Sequence, residues 1–120
     1  YRFVGYLAEK AYALLESEQI DEAIQAYQEI IAQYPDSGIP YGGLAQAYIR
    51  NNQPELALLA IEKGWDLNTE KYAFYLIAAR IYEQSGLSAD ALKAYQQALK
   101  IRPNIQEALE AVERLSGNDE

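Results

Sequence analysis

One spacing of side-chain types recurs every 34 residues, and it constrains this chain more tightly than any other feature of the sequence. Its last copy is Tyr75, Ala78, Ala79, Tyr82, Ala91, Tyr95, Ala98 and Pro103. One period earlier the same positions hold Tyr41, Leu44, Ala45, Tyr48, Ala57, Ile61, Gly64 and Thr69. Two periods earlier they hold Leu7, Lys10, Ala11, Leu14, Ala23, Tyr27, Ile30 and Pro35. Only Lys10 clashes in type, and Thr69 is a mild departure. A fixed period of this length belongs to a helix-turn-helix unit that buries its apolar face by stacking on its neighbours.

Local signals place the helices. The first is predicted over about Val4 to Ser17 and the second over Asp21 to Tyr34, where Pro35 stops it. The third starts near Ile39, with Pro40 in its first turn, and ends at Asn51 and Asn52; the fourth runs from Pro54 to about Leu67. The fifth spans Glu70 to Gln84 and closes at Gly86, and Ser88 is the expected N-cap of the sixth. Asn104 and Glu107 read as a capping box opening a seventh helix, whose packing face is Ile105, Ala108, Leu109, Val112 and Leu115.

With these residues in place, the chain resembles the tetratricopeptide repeat family, whose pattern runs large residue, Leu, Gly or Ala, Tyr, Ala, Phe, Ala, Pro. The resemblance covers about residues 4 to 105. It implies an all-α fold, a right-handed α-solenoid of three helix-turn-helix pairs (about 4–37, 38–71 and 72–105) with a capping helix at about 104–116 and a polar tail at 117–120. It also implies a concave side lined by the first helix of each pair.

Composition excludes most chemistry. The chain has no Cys and no His, so thiolate and imidazole mechanisms and the usual zinc sites are absent by inventory. Acidic pairs such as Glu16/Glu18 and Asp119/Glu120 lack a base, a nucleophile or metal-ligand spacing, and the chain reads as non-catalytic, with no cofactor and no metal. A net charge of −8 argues against nucleic acid. No apolar run is long enough for membrane insertion and no signal segment is visible. The absence of Met is expected of a segment or of a processed form.

Signature tyrosines Tyr41, Tyr48, Tyr75 and Tyr82, with Tyr27, Tyr95 and Trp65, are expected in the core. The adjacent face of the first helices is left for a partner. Its candidate groove residues are Tyr12, Ile39, Gly42, Gly43, Gln46, Ile49, Arg50, Ala73, Leu76, Ile77, Arg80 and Arg114. Gly42 and Gly43 either permit a tight helix approach or clear space for a ligand. Arg50, Arg80 and Arg114, three of five arginines, either receive a partner's acidic groups or pair with Glu16, Glu83 or Glu110.

The expected function is capture of an unidentified protein or peptide partner. Family members that clamp a chaperone's C-terminal carboxylate use Lys, Asn, Asn, Lys and Arg, where this chain has Ala8, Tyr12, Gly43, Ala73 and Ile77, so that ligand is not implied. The alternative is a structural arm in which the apolar stretch of residues 1–15 self-associates or meets upstream repeats, instead of Tyr1 and Phe3 folding back onto the second helix.

Overall fold

The computed structural model describes residues 2–67 and 70–117. Among these residues it is all helical: α1 (Arg2–Glu16), α2 (Ile20–Gln33), α3 (Ile39–Arg50), α4 (Pro54–Gly64), α5 (Lys71–Gln84), α6 (Ser88–Ile101) and α7 (Gln106–Gly117), with a 3₁₀ turn at Trp65–Leu67. No helix among them is long and apolar enough to cross a membrane. Tyr1, Thr69 and the Asp119/Glu120 pair lie outside the described residues.

Each pair is joined by the same turn. The residues in the second position after the helices, Glu18, Asn52 and Gly86, have φ of 67, 62 and 79° and stand one period apart. Their amides donate to Leu15, Ile49 and Glu83, while the amides of the following Gln19, Gln53 and Leu87 reach back to Leu14, Tyr48 and Tyr82 at 2.8–2.9 Å. This is the Schellman closure, which satisfies carbonyls that a helix end leaves orphaned. The carbonyls of Gln19, Gln53 and Leu87 also accept the first bonds of the next helices, from Ala23, Ala57 and Ala91. One residue therefore ends one helix and begins the next.

That economy corrects two expected caps. The residue at the N-cap of α6 is Leu87, with no side-chain capping bond, because the turn uses Leu87 for both helices and leaves Ser88 already inside the second. Helix α7 starts at Gln106 rather than at Asn104, and Glu107 turns to Arg80 instead of back to a capping position. Two bonds to a guanidinium, with both partners charged, outweigh one bond to a neutral backbone N–H. The fourth helix also ends earlier than expected, at Gly64, and continues as the 3₁₀ turn. It has Thr69 where the other pairs have Pro35 and Pro103.

The chain forms two compact units, Tyr1–Thr69 and Glu70–Glu120. In the first, α1 packs on α2 and α3, α2 on α3, and α3 on α4. Buried residues include Val4, Ala11, Leu15, Ala23, Tyr27, Leu44, Ala45, Ala57 and Ile61. Two tyrosine rings set the closest approaches: a Cβ added at Gly43 would overlap the Tyr27 ring, and one at Gly64 would overlap Tyr41. Trp65 is half-buried. Phe3 is 70% exposed and does not fold back onto α2.

In the second unit α6 packs on both α5 and α7. Its core is Leu76, Ala79, Ala91, Ala94, Tyr95, Ala98, Ala108, Ala111 and Leu115, flanked by Tyr72, Tyr75, Tyr82, Leu92, Leu99, Ile105 and Val112. The buried face of α7 thus centres on Ala108, Ala111 and Leu115, leaving Leu109 exposed, because alanines let the helix sit closer than a Leu ridge would.

Three outcomes are expected from this architecture. Glu18→Gly relieves a left-handed residue that costs about 1–2 kcal/mol, less about 0.4–1 kcal/mol of added unfolded-chain entropy. Chemical denaturation should show a net gain of about 0.5–1 kcal/mol. Gly→Ala should have opposite signs at two sites in the first unit: up to about 1 kcal/mol stabilising at Gly5, where nothing lies within 4 Å, and about 1–3 kcal/mol destabilising at Gly43 against Tyr27. The carboxyl of Glu107 is held below its usual range, mainly by its hydrogen bonds to Arg80. Because the folded value is depressed, the pair stabilises above the unfolded value of 4.5 and its contribution is lost as pH falls through the folded value. Both side chains are about 40% exposed, so Glu107→Gln should flatten the acid limb of stability by only about 0.5–1 kcal/mol in pH-dependent melts.

Candidate interaction clefts

In the first unit α1 and α3 run beside each other with α2 behind them, and small residues keep the space between them open. The resulting cleft, about 350 Å³, is lined by Gly5, Ala8, Glu9 and Tyr12 from α1, Ile39, Gly43 and Gln46 from α3, and Tyr27 from α2. Tyr12, Ile39, Gly43 and Gln46 are thereby brought together. Tyr27 is buried and contributes its ring. A Cβ on Gly43 would meet the Tyr27 ring, so this glycine permits the tight approach of α2 to α3 and does not clear space for a ligand. Burial, then the nearby Tyr12, pushes the Tyr27 phenol up to about 12. It stays neutral and leaves the aromatic wall uncharged.

Gly42 is buried, Ile49 half-buried, and Arg50 exposed at the end of α3. The Arg50 guanidinium donates to the Leu15 carbonyl at 3.2 Å and to Glu16 at 2.9 Å. Glu16 is held below the usual carboxylate range first by its hydrogen bond from Tyr12 and then by Arg50.

In the second unit Ala73 is half-buried, and Leu76 and Ile77 are buried at 8% and 5% exposure. Arg80 and Arg114 instead lie in a polar cleft of about 410 Å³ with Glu83, Gln84, Tyr95, Glu107, Glu110 and Ala111. Arg80 donates to both oxygens of Glu107 at 2.6 and 2.5 Å, and Arg114 pairs with Glu83. Glu83 also accepts the Tyr95 hydroxyl at 3.0 Å. Burial and this carboxylate push the Tyr95 phenol up, and Glu83 raises Arg114 in turn. All three candidate arginines are paired with carboxylates of their own unit.

The opposite face of α3 lines a third cleft, about 290 Å³, in which Tyr41, Leu44 and Tyr48 lie between Gln28 and Ile31 of α2 and Leu56, Leu59 and Lys63 of α4. Gln28 donates to the Tyr48 hydroxyl at 3.2 Å across it. Among the described residues no cluster of carboxylates could hold a metal ion.

Sequence reasoning passed over Glu9 and gave Tyr27 to the core alone. The period contains the missing signal: Glu9 occupies the register of Gly43 one repeat earlier, so a cleft at one implies a cleft at the other.

Known proteins share this fold. Two tetratricopeptide repeat family models match residues 14–65 and 43–105. No curated protein matches the sequence. The first tetratricopeptide domain of human RPAP3 is 23% identical, with 95% of this chain and 90% of that chain covered and a TM-score of 0.87. The first such domain of Spaghetti (RPAP3), bound to the HSP90 peptide SRMEEVD, is also 23% identical, covering 96% and 91% with a TM-score of 0.85. The Yersinia enterocolitica type III secretion chaperone SycD, in complex with a peptide of the translocator YopD, is 18% identical, covering 100% and 97% with a TM-score of 0.83. At these identities the likeness is one of fold, while the family models span most of the chain: it belongs to the tetratricopeptide repeat family.

Proposed function

We propose that this chain is a protein-interaction module that captures an extended segment or an amphipathic helix of a partner in the α1/α3 cleft. The observation that carries the reading is the cleft itself, which is open, lined by Gly5, Ala8 and Gly43, and walled by two aromatic rings. Its volume of about 350 Å³ is within the usual range of ligand pockets and takes one large apolar side chain with room beside it. Ile39, half exposed at the start of α3, offers further apolar area to the same segment.

The family resemblance supports this in a particular way. Three positions that clamp a carboxylate in some relatives are Ala8, Tyr12 and Gly43 here, so polar donors are replaced by apolar space. Two relatives of the same fold hold peptides. Affinity then comes from burial of an anchor over Tyr27, with the amide of Gln46 available to a backbone group of the ligand. The arginines contribute only by exchanging an existing carboxylate partner for a new one.

A second reading is favoured by Phe3 and Tyr6, 70% and 57% exposed on α1, which suit self-association. Selecting a phage-displayed random peptide library on the wild type and on Gly5→Leu separates the two. Leu at this position meets nothing within 4 Å at its Cβ and fills the cleft, so the protein should melt no lower than wild type while the selected peptides lose binding about tenfold or more. Peptides indifferent to Gly5→Leu, together with a mass above the monomer that falls on Phe3→Ser, would move the function to the outer face of α1.

A further inference from the structure

The α1/α3 cleft and the polar cleft of the second unit, each taken by itself, hold more carboxylate than available cation. Among the residues lining the α1/α3 cleft the charged side chain is Glu9, which is exposed. Two cations on the helices that form this cleft are engaged elsewhere. Lys10 lies over the Tyr6 ring at 5.3 Å, and Arg50 is spent on Leu15 and Glu16. In the second unit three carboxylates, Glu83, Glu107 and Glu110, share a cleft with two guanidiniums. Both guanidiniums are already paired, and Glu110 accepts only a neutral amide, from Gln106 at 3.1 Å, among its hydrogen bonds.

Resting on the reading above, we infer that the partner segment is cationic: an apolar side chain seated against Tyr27 with a Lys or Arg beside it that meets Glu9. An acidic segment would have to break a charge-assisted pair such as Arg50–Glu16 before it gained one, and would leave the displaced carboxylate beside it. A basic segment meets Glu9 without displacing anything. The chain's net charge of −8 adds a long-range field of the same sign, which speeds encounter with cations and repels acidic competitors.

The test is the charge of the peptides that the library yields, restricted to clones whose binding is lost on Gly5→Leu. These clones should be enriched in Lys and Arg next to an aromatic or aliphatic residue. On Glu9→Lys they should weaken about tenfold at low salt, with the loss shrinking as added salt shortens the screening length. A fresh selection on Glu9→Lys should turn toward Asp and Glu. Melting curves check that Glu9→Lys leaves the fold intact, as its exposure requires. Clones that depend on the cleft but are acidic or neutral, or that bind Glu9→Lys unchanged, overturn the inference and leave the cleft reading standing. If no clone depends on Gly5, the cleft reading fails and this inference with it.

Discussion

The turn between paired helices allows no slack. Three residues separate the last α-helical residue of the first helix from the first of the second, and the third of them, Gln19, Gln53 or Leu87, serves both. An inserted residue would rotate the second helix by about 100° relative to the first and carry its apolar stripe off the contact. This is why Ala23, Ala57 and Ala91, each four residues past that junction, are buried to zero exposure. The period seen in side chains is therefore a period in backbone conformation. The residue that bears the strain is the one with positive φ: Gly86 adopts it at no steric cost, Asn52 tolerates it, and Glu18 holds it only because the two flanking hydrogen bonds and the packed pair leave it no alternative.

With helix orientation set by the turns, packing in the first unit is decided by where rings lean. Tyr27 leans on Gly43 and Tyr41 on Gly64. Neither glycine is periodic: the register of Gly43 holds Glu9 and Ile77 in the other repeats, and that of Gly64 holds Ile30 and Ala98. Each glycine answers one ring and no general rule of the repeat. At Gly43 the consequence reaches the cleft, since the buried ring that excludes a Cβ also lines it. Packing and the cleft lining share an atom set there. A substitution at Gly43 cannot separate them, whereas one at Gly5 can.

Much of this was legible beforehand because it is periodic. The helix boundaries, the turn positions and the burial of Tyr27 and Tyr95 all follow from reading one repeat against the next. The pair Glu16–Arg50 belongs to the same class, since its members occupy one register in adjacent repeats. What escaped was aperiodic. Arg80 meets Glu107, a partner outside the expected Glu16, Glu83 and Glu110, while Arg114 meets Glu83 from among them, at separations of 27 and 31 residues, and α7 has no second helix against which its register could be checked. The capping signals at Ser88 and Asn104 were genuine local preferences, overridden in one case by a shared turn residue and in the other by a nearby guanidinium. One local rule lost to the backbone of the repeat's own turn and the other to a tertiary partner with a stronger bond.

The pairing of the arginines changes what kind of specificity this chain can have. A free guanidinium on a groove wall is a fork waiting for a carboxylate, and it discriminates by charge first. Here Arg50 is bound to a carbonyl and a carboxylate, Arg80 to both oxygens of Glu107, and Arg114 to Glu83. These half-exposed pairs contribute little to stability, yet each removes an attractor for acidic ligands and fixes side chains that would otherwise sample the cleft. What remains on the lining of the α1/α3 cleft is the shape set by Tyr12 and Tyr27 and the carboxylate of Glu9. The positions where some relatives clamp a carboxylate hold Ala8, Tyr12 and Gly43 here, so the α1/α3 cleft is walled by small and aromatic residues with the Glu9 carboxylate beside them.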